Sequence, residues 1–273
     1  MSNLYSPNHL KQLCREYKLT PSKRYGQNFL ISSKPIQEMI SSAMLSKKDT
    51  VVEVGPGFGV LTLELIKKAG VVKAYEIEKK IQPYWQENQQ PNLEITWGNV
   101  LKSFKFNGKY KVVANLPYQI TSSIIRGFLE SDHQPELMVM MMQKEVAERI
   151  CAKPGKMSLL SVSVQYYAEP EIVMKVPRTC FWPAPKVDSA VIKLKIKTSK
   201  KSVCAKVFFS IAKAGFASPR KLLLNNLACV FKDKEMLLRT FQNIGIPDKA
   251  RAQELNLDQW IKLASKLEKG FCF

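Results

Sequence analysis

Residues 51 to 76 constrain the fold more than any other part of the chain. Val51-Val-Glu53-Val54 is a β-branched run, Gly55-Pro56-Gly57-Phe58-Gly59 follows it, and Val60-Leu61-Thr62-Leu63-Glu64-Leu65 then carries apolar residues at helical spacing. A second strand-like run closes at Ala74-Tyr75-Glu76-Ile77. Strand, glycine turn, helix and strand in that order make a βαβ unit, which calls for a parallel sheet with helices over its faces. Glycines in the turn let the backbone take positive φ and approach a ligand closely. The spacing is G-x-G-x-G, with Val60 where the dinucleotide fingerprint has its third glycine, which counts against a diphosphate-bearing cofactor. Glu53, two positions before the first glycine, can orient the loop or a cationic ligand. Glu76 stands at the end of the second strand, about 20 residues beyond the glycines, where a carboxylate commonly holds ribose hydroxyls. Together these features point to a nucleoside-bearing ligand that lacks a diphosphate, a description that S-adenosylmethionine fits.

Asn115-Leu116-Pro117-Tyr118 follows the apolar run Tyr110-Lys-Val-Val-Ala114, so it sits where a parallel strand ends and a loop begins. The Asn side chain and a backbone carbonyl can accept hydrogen bonds from an exocyclic amino group, and the Tyr ring can stack on a planar base. The alternative reading is a Pro-containing turn with a half-buried Tyr.

Strands near 51–55, 72–77, 93–97 and 110–115 alternate with helical patterns near 59–69, 79–87 and 120–130. Pro35 to Leu45 is amphipathic, with Ile36, Met39, Ile40, Ala43 and Met44 on one face. Further strands are expected at 136–143, 172–176 and 190–197, and helices at 144–151 and 158–168. After the polar, basic stretch Lys197-Thr-Ser-Lys-Lys-Ser202 the pattern is wholly helical, near 203–217, 220–230, 233–244 and 254–268, with Gly245-Ile-Pro247 as a break.

The chain has 42 Lys+Arg against 23 Asp+Glu, a net charge of +19. Residues 193–273 hold 17 Lys/Arg and 6 Asp/Glu, so +11 of that surplus falls in the last 81 residues. Such a surplus favours a polyanion through phosphate neutralisation and counterion release; for any single lysine the plain reading is a solvated surface. The longest apolar runs, such as Leu137 to Met142, are too short to span a bilayer, so no membrane partner is expected. Six cysteines without C-x-x-C pairing and two histidines, His9 and His133, remote from every motif argue against a metal site or a histidine-based triad. The first ten residues lack the character of a targeting peptide, which makes the cytoplasm the expected setting.

Nine stretches together resemble the KsgA (RsmA) family of rRNA adenine N6,N6-dimethyltransferases, in the family's order. They are Gly26-Gln-Asn-Phe-Leu30, Glu53 to Gly59, Tyr75-Glu-Ile-Glu78, Gly98-Asn-Val-Leu101, Asn115 to Tyr118, Met142-Gln-Lys-Glu-Val-Ala147, Leu160-Ser-Val162 with Gln165-Tyr-Tyr-Ala168, Phe181-Trp-Pro-Ala-Pro-Lys-Val-Asp-Ser-Ala190, and Arg220-Lys221 with Asn225-Asn-Leu227. The resemblance implies a class I (Rossmann-like) α/β methyltransferase fold over residues 1–198, with a seven-stranded, mostly parallel sheet. A small all-helical, basic, RNA-binding domain is implied over 199–273.

It also implies S-adenosyl-L-methionine as cofactor, with Asn28, Leu30, Gly55, Gly57, Glu76, Asn99 and Asn115 as its binding residues. Asn115, Pro117, Tyr118 and Phe181 would be catalytic, Tyr118 and Phe181 stacking on either face of the target adenine; the alternative for Phe181 is a core aromatic. Lys23, Arg24, Arg220 and Lys221 would meet RNA. The expected partner is small-subunit rRNA in an assembling subunit, met by a monomer that uses no metal. Asn99 departs from the family's usual Asp, losing the charge assistance that roughly doubles such a hydrogen bond's strength. Two further activities compete: a large-subunit adenosine methylase of the macrolide-resistance type, and a catalytically idle RNA-binding assembly factor.

Overall fold

The computed structural model describes residues 4–21, 27–198 and 203–268. By packing, the chain divides into two compact units, Met1–Ala147 with Glu169–Ile196, and Glu148–Ala168 with Lys197–Phe273. The sequence reading put a single break at 198/199; the contacts instead group the segment 148–168 with the C-terminal helices.

The first unit holds the main sheet. Its strands are β1 (Thr50–Val54), β2 (Val71–Glu76), β3 (Leu93–Trp97), β4 (Lys111–Asn115), β5 (Leu137–Gln143), β6 (Ala168–Val176) and β7 (Ser189–Ile196). The order across the sheet is β3-β2-β1-β4-β5-β7-β6. The β3-β2, β2-β1, β1-β4 and β4-β5 pairs are parallel, and β7 runs antiparallel to β5. The burial of each strand explains its residue pattern. Central β5, Leu-Met-Val-Met-Met-Met-Gln, is covered on both faces and so reads as an unbroken apolar run, whereas edge strand β3 alternates. β6 begins at Ala168, earlier than the expected 172, because Pro170 is tolerated on an edge strand.

Twelve α-helices occur among the described residues. In the first unit, α1 (Pro7–Glu16) was not foreseen. Ser6 caps it, Pro7 starts it, and Leu10, Leu13 and Cys14 form its buried stripe. α2 (Ser33–Ala43) buries Ile36, Met39 and Ala43 against the sheet. The expected face overran by one residue: Met44 is the left-handed C-cap, φ 45°, and is 64% exposed. The remaining helices of the sheet region are α3 (Thr62–Lys68), α4 (Gln82–Glu87), α5 (Val100–Ser103), α6 (Thr121–Leu129) and α7 (Lys144–Ile150). No helix among the described residues is long and apolar enough to cross a membrane.

The second unit contains α8 (Leu159–Tyr167), α9 (Ala205–Gly215), α10 (Leu223–Phe231), α11 (Lys234–Ile244) and α12 (Leu257–Leu267). Tyr166 stacks on Phe208 with ring centres 4.3 Å apart, tying α8 to α9. The Tyr166 hydroxyl donates to the Val203 carbonyl at 2.8 Å. Gly245, at φ +70°, ends α11 as the sequence break required.

Candidate active site

A cavity of about 310 Å3 opens over the C-terminal ends of β1, β2 and β4 within the first unit. In the strand order β3-β2-β1-β4-β5, β1 and β4 flank the point where the winding reverses, which is where open α/β sheets bind ligands.

The glycine turn forms one wall. Gly55, Gly57 and Gly59 have φ of +72°, +55° and +94°. α4 holds the turn from outside: Trp85 Nε1 donates to the Gly57 carbonyl at 2.9 Å, and the Tyr84 hydroxyl to the Phe58 carbonyl at 2.9 Å. A methyl group on Gly59 would lie 2.8 Å from the Trp85 ring. Gly59→Ala therefore combines an unfavourable backbone with overpacking, and a loss of about 2–4 kcal/mol of stability is expected by urea denaturation.

Two carboxyl side chains face this wall: among the described lining residues Glu53 and Glu76 are the only acidic or basic ones. Glu76 is 6% exposed; its Oε2 accepts from the Gly57 N–H at 3.2 Å and its Oε1 from the Glu78 N–H at 2.8 Å. Burial raises its pKa above the usual carboxylate range, against those backbone bonds. Glu53 is 1% exposed. Burial pushes its carboxyl up to about 8, the Thr62 hydroxyl beside it pulling down and Glu76 pushing up. Neither Glu53 Oε2 nor Thr62 Oγ1 has a hydrogen-bond partner in the protein.

Asn99 lines the cavity and also caps α5, its Oδ1 accepting from the Leu101 N–H at 2.9 Å. Asn115 ends β4 in register with Met141, and the chain then turns through Pro117 into a 3₁₀ turn, Tyr118–Ile120. The Pro117 carbonyl is already occupied, accepting from the Ile120 N–H at 3.2 Å and the Thr121 hydroxyl at 3.1 Å. The Tyr118 hydroxyl is 2.7 Å from Ser189 Oγ on β7, which fixes the ring's direction. Burial raises the Tyr118 pKa, partly offset by the Ser189 bond, so the phenol stays neutral near pH 7.

A two-residue antiparallel ribbon pairs Phe29 with Trp182 and Leu30 with Phe181. It brings the Asn28–Leu30 segment and the Phe181 segment to one cavity, although they lie some 150 positions apart in the chain. Phe181 is 3% exposed and belongs both to the cavity lining and to the hydrophobic core.

Asn28, Leu30, Gly55, Gly57, Glu76, Asn99, Asn115, Pro117, Tyr118 and Phe181 thus line one cavity. The sequence reading missed Leu4, Leu10 and Leu19, which add an apolar edge from α1 and its flanks. The Ser6-Pro7 start and the Leu10, Leu13, Cys14 spacing were the available signal. Lys23 and Arg24 lie outside the described residues. Arg220 and Lys221 are exposed in the turn between α9 and α10 of the second unit. That turn is pinned by Asn226, whose Nδ2 donates to the carbonyls of Gly215 at 2.7 Å and Ser218 at 3.0 Å. Among the described residues, no group of three or more His, Cys, Asp or Glu could hold a metal ion.

A seven-stranded sheet in which β7 runs antiparallel to β5, a glycine turn after the first strand and acidic residues facing it define a class I methyltransferase. The sequence pattern described as "Ribosomal RNA adenine dimethylase" matches residues 19–269. The chain belongs to this ribosomal RNA adenine dimethylase family. It is 42% identical over 272 residues to the ribosomal RNA small subunit methyltransferase A of Dehalococcoides mccartyi, covering 96% of this chain and 94% of that protein. It is 38% identical over 286 residues to the protein of that name from Bacillus cytotoxicus, covering 98% of each. Among solved structures, the 23S rRNA methyltransferase ErmE superposes with a TM-score of 0.74 at 28% identity, over 88% of this chain and all of that one. A dimethyladenosine transferase from Plasmodium falciparum shares the fold, with a TM-score of 0.77 at 24% identity over 88% of this chain and 98% of the other.

Proposed function

We propose that this protein dimethylates N6 of two adjacent adenosines in a hairpin loop near the 3′ end of small-subunit rRNA, in the cytoplasm during ribosome assembly, with S-adenosylmethionine as methyl donor. The observation that carries the reading is the convergence of Asn115, Tyr118 and Glu76 on one cavity in a chain of this family. The lining residues fit a cationic nucleoside cofactor. Gly55 faces open space, the two carboxyl side chains of the lining have no basic residue beside them there, and Glu53 Oε2 has no hydrogen-bond partner in the protein. Glu76 would hold the ribose hydroxyls, Asn99 the cofactor's adenine amino group, and Asn28, Leu30, Gly55 and Gly57 the rest. When bound, the cofactor supplies an electrophilic methyl group on a sulfonium.

The protein's own part is to present N6. The nitrogen is a poor nucleophile because its lone pair is delocalised into the ring. Asn115 Oδ1 and a backbone carbonyl accepting both N6–H bonds favour a pyramidal nitrogen. With both lone pairs of the Pro117 carbonyl used, Leu116 provides that carbonyl. Tyr118, steered by Ser189, stacks on the base and Phe181 covers its other face; such stacking is worth ~1–3 kcal/mol per base. Tyr118 is held neutral and is no base, and none is required, since N6 becomes acidic once methylated. Catalysis is then mainly positioning. The helical unit would dock the RNA backbone through Arg220, Lys221 and the C-terminal charge surplus, aided by Lys23 and Arg24.

The similarity to ErmE favours a second reading, a large-subunit adenosine as target. Labelled-methyl transfer decides between them. Incorporation into immature small subunits, and none into protein-free large-subunit rRNA, is the expected result. The reverse pattern overturns the small-subunit assignment, and no incorporation into either leaves the assembly-factor role.

A further inference from the structure

The charge distribution around the cavity is the reverse of the chain's own. A protein of net charge +19 lines this cavity with two carboxylates and, among the described residues, no Lys, Arg or His. Glu53 is the deeper carboxylate, and the mechanism above leaves it unused. It stands on β1, and the groups facing it are Thr62 from α3 and Glu76 from the end of β2; Tyr75 and Tyr118 are the other titratable groups of the lining. Glu76 has backbone N–H partners for both oxygens. Glu53 Oε2 and Thr62 Oγ1 have none. A buried carboxylate with no cation beside it, and with only the Thr62 hydroxyl close by to favour its charged form, is costly to ionise, so the proton is retained until a positive charge arrives.

We propose that Glu53 is the charge sensor of this cavity, protonated until a net-positive ligand enters and releasing that proton to solvent as the ligand binds, so that the site prefers the sulfonium-bearing methyl donor over its discharged product. The inference rests on the cofactor reading given above. S-adenosylmethionine carries one more positive charge than S-adenosylhomocysteine, and both carry the same nucleoside and amino-acid groups. A residue that recognises only the shared hydrogen-bonding groups treats them alike, whereas a carboxyl that must ionise to bind responds to the sulfonium charge. The elevated affinity of Glu53 for its proton at neutral pH agrees with this arrangement. The sign follows: the donor drives Glu53 to its charged form, so donor affinity rises with pH up to the range where Glu53 ionises unaided. Below that range the rise is at most about tenfold per pH unit for a single released proton.

The test is titration calorimetry of the full chain with each ligand, at pH 7, in phosphate and in Tris, whose different ionisation heats report protons exchanged. Close to one proton released per S-adenosylmethionine, and much less per S-adenosylhomocysteine, is the expected result. Glu53→Gln should abolish the release and narrow the preference for the donor by about tenfold or more. Donor binding to the natural protein without proton release overturns the inference while leaving the cofactor reading intact. Equal release by both ligands also overturns it, as does undiminished release in folded Glu53→Gln, which points to Glu76. Failure of S-adenosylmethionine to bind the natural protein removes the cofactor reading and this inference together. The natural protein alone thus decides the matter even if the variant does not fold.

Discussion

Asn115→Ala is expected to lower methyl transfer by about 10²–10³-fold, the loss typical of removing one fixed polar group from a site that works by positioning. The fold should survive. Asn115 is the last residue of β4, its backbone remains in register with Met141, and its side chain is only partly buried. Single-turnover transfer to immature small subunits measures the effect, with filter binding of the same subunits alongside. Subunit affinity should stay within a few-fold, because the phosphate contacts are assigned elsewhere. Transfer within tenfold of the natural rate would show that the side chain does not hold N6, and the Leu116 carbonyl with Tyr118 stacking would have to suffice.

Glu76→Ala is expected to weaken S-adenosylmethionine binding by about 2–4 kcal/mol, or roughly 30- to 1,000-fold. Two effects add. The ribose hydroxyls lose a charged acceptor, and the N–H groups of Gly57 and Glu78 lose theirs, so the glycine turn loses an anchor on the cavity side. Calorimetry reads the loss directly. Unchanged affinity would remove Glu76 from the cofactor site, whatever happened to activity.

The sheet was legible in the sequence because its strands are buried in the way their composition announces. β5 is apolar from Leu137 to Met142 and β1 is mostly β-branched. The glycine turn and the Asn115–Tyr118 segment were legible for a related reason: special backbone geometry and strand-end position restrict residue type. Other parts depend on contacts that no local pattern encodes. The ribbon joining Leu30 to Phe181 pairs residues far apart in the chain, so the shared cavity could be reached only through the family resemblance. Asn99 as an N-cap depends on α5, a single helical turn too short to show a period. The occupied Pro117 carbonyl follows from the 3₁₀ turn after it, and the depth of Glu53 from a sheet covered on both faces. α1 carried readable signals in its cap and its stripe of three buried residues, but that stripe is short.

The path of the chain bears on how this protein can be taken apart. Residues 148–168 belong with the helices of 197–273, and the strands of 169–196 with the first unit. A cut after residue 202 therefore excises no self-contained module. It strands Tyr166 without Phe208 and Val203, and leaves the capped helix Leu159–Tyr167 with an aromatic face turned to water. Such a fragment would carry a sticky surface that the intact chain never exposes, and its poor behaviour would say nothing about RNA. Because the two units are stitched by three passages of the chain, charge reversal at Arg220 and Lys221 is the cleaner way to ask what the helical unit holds.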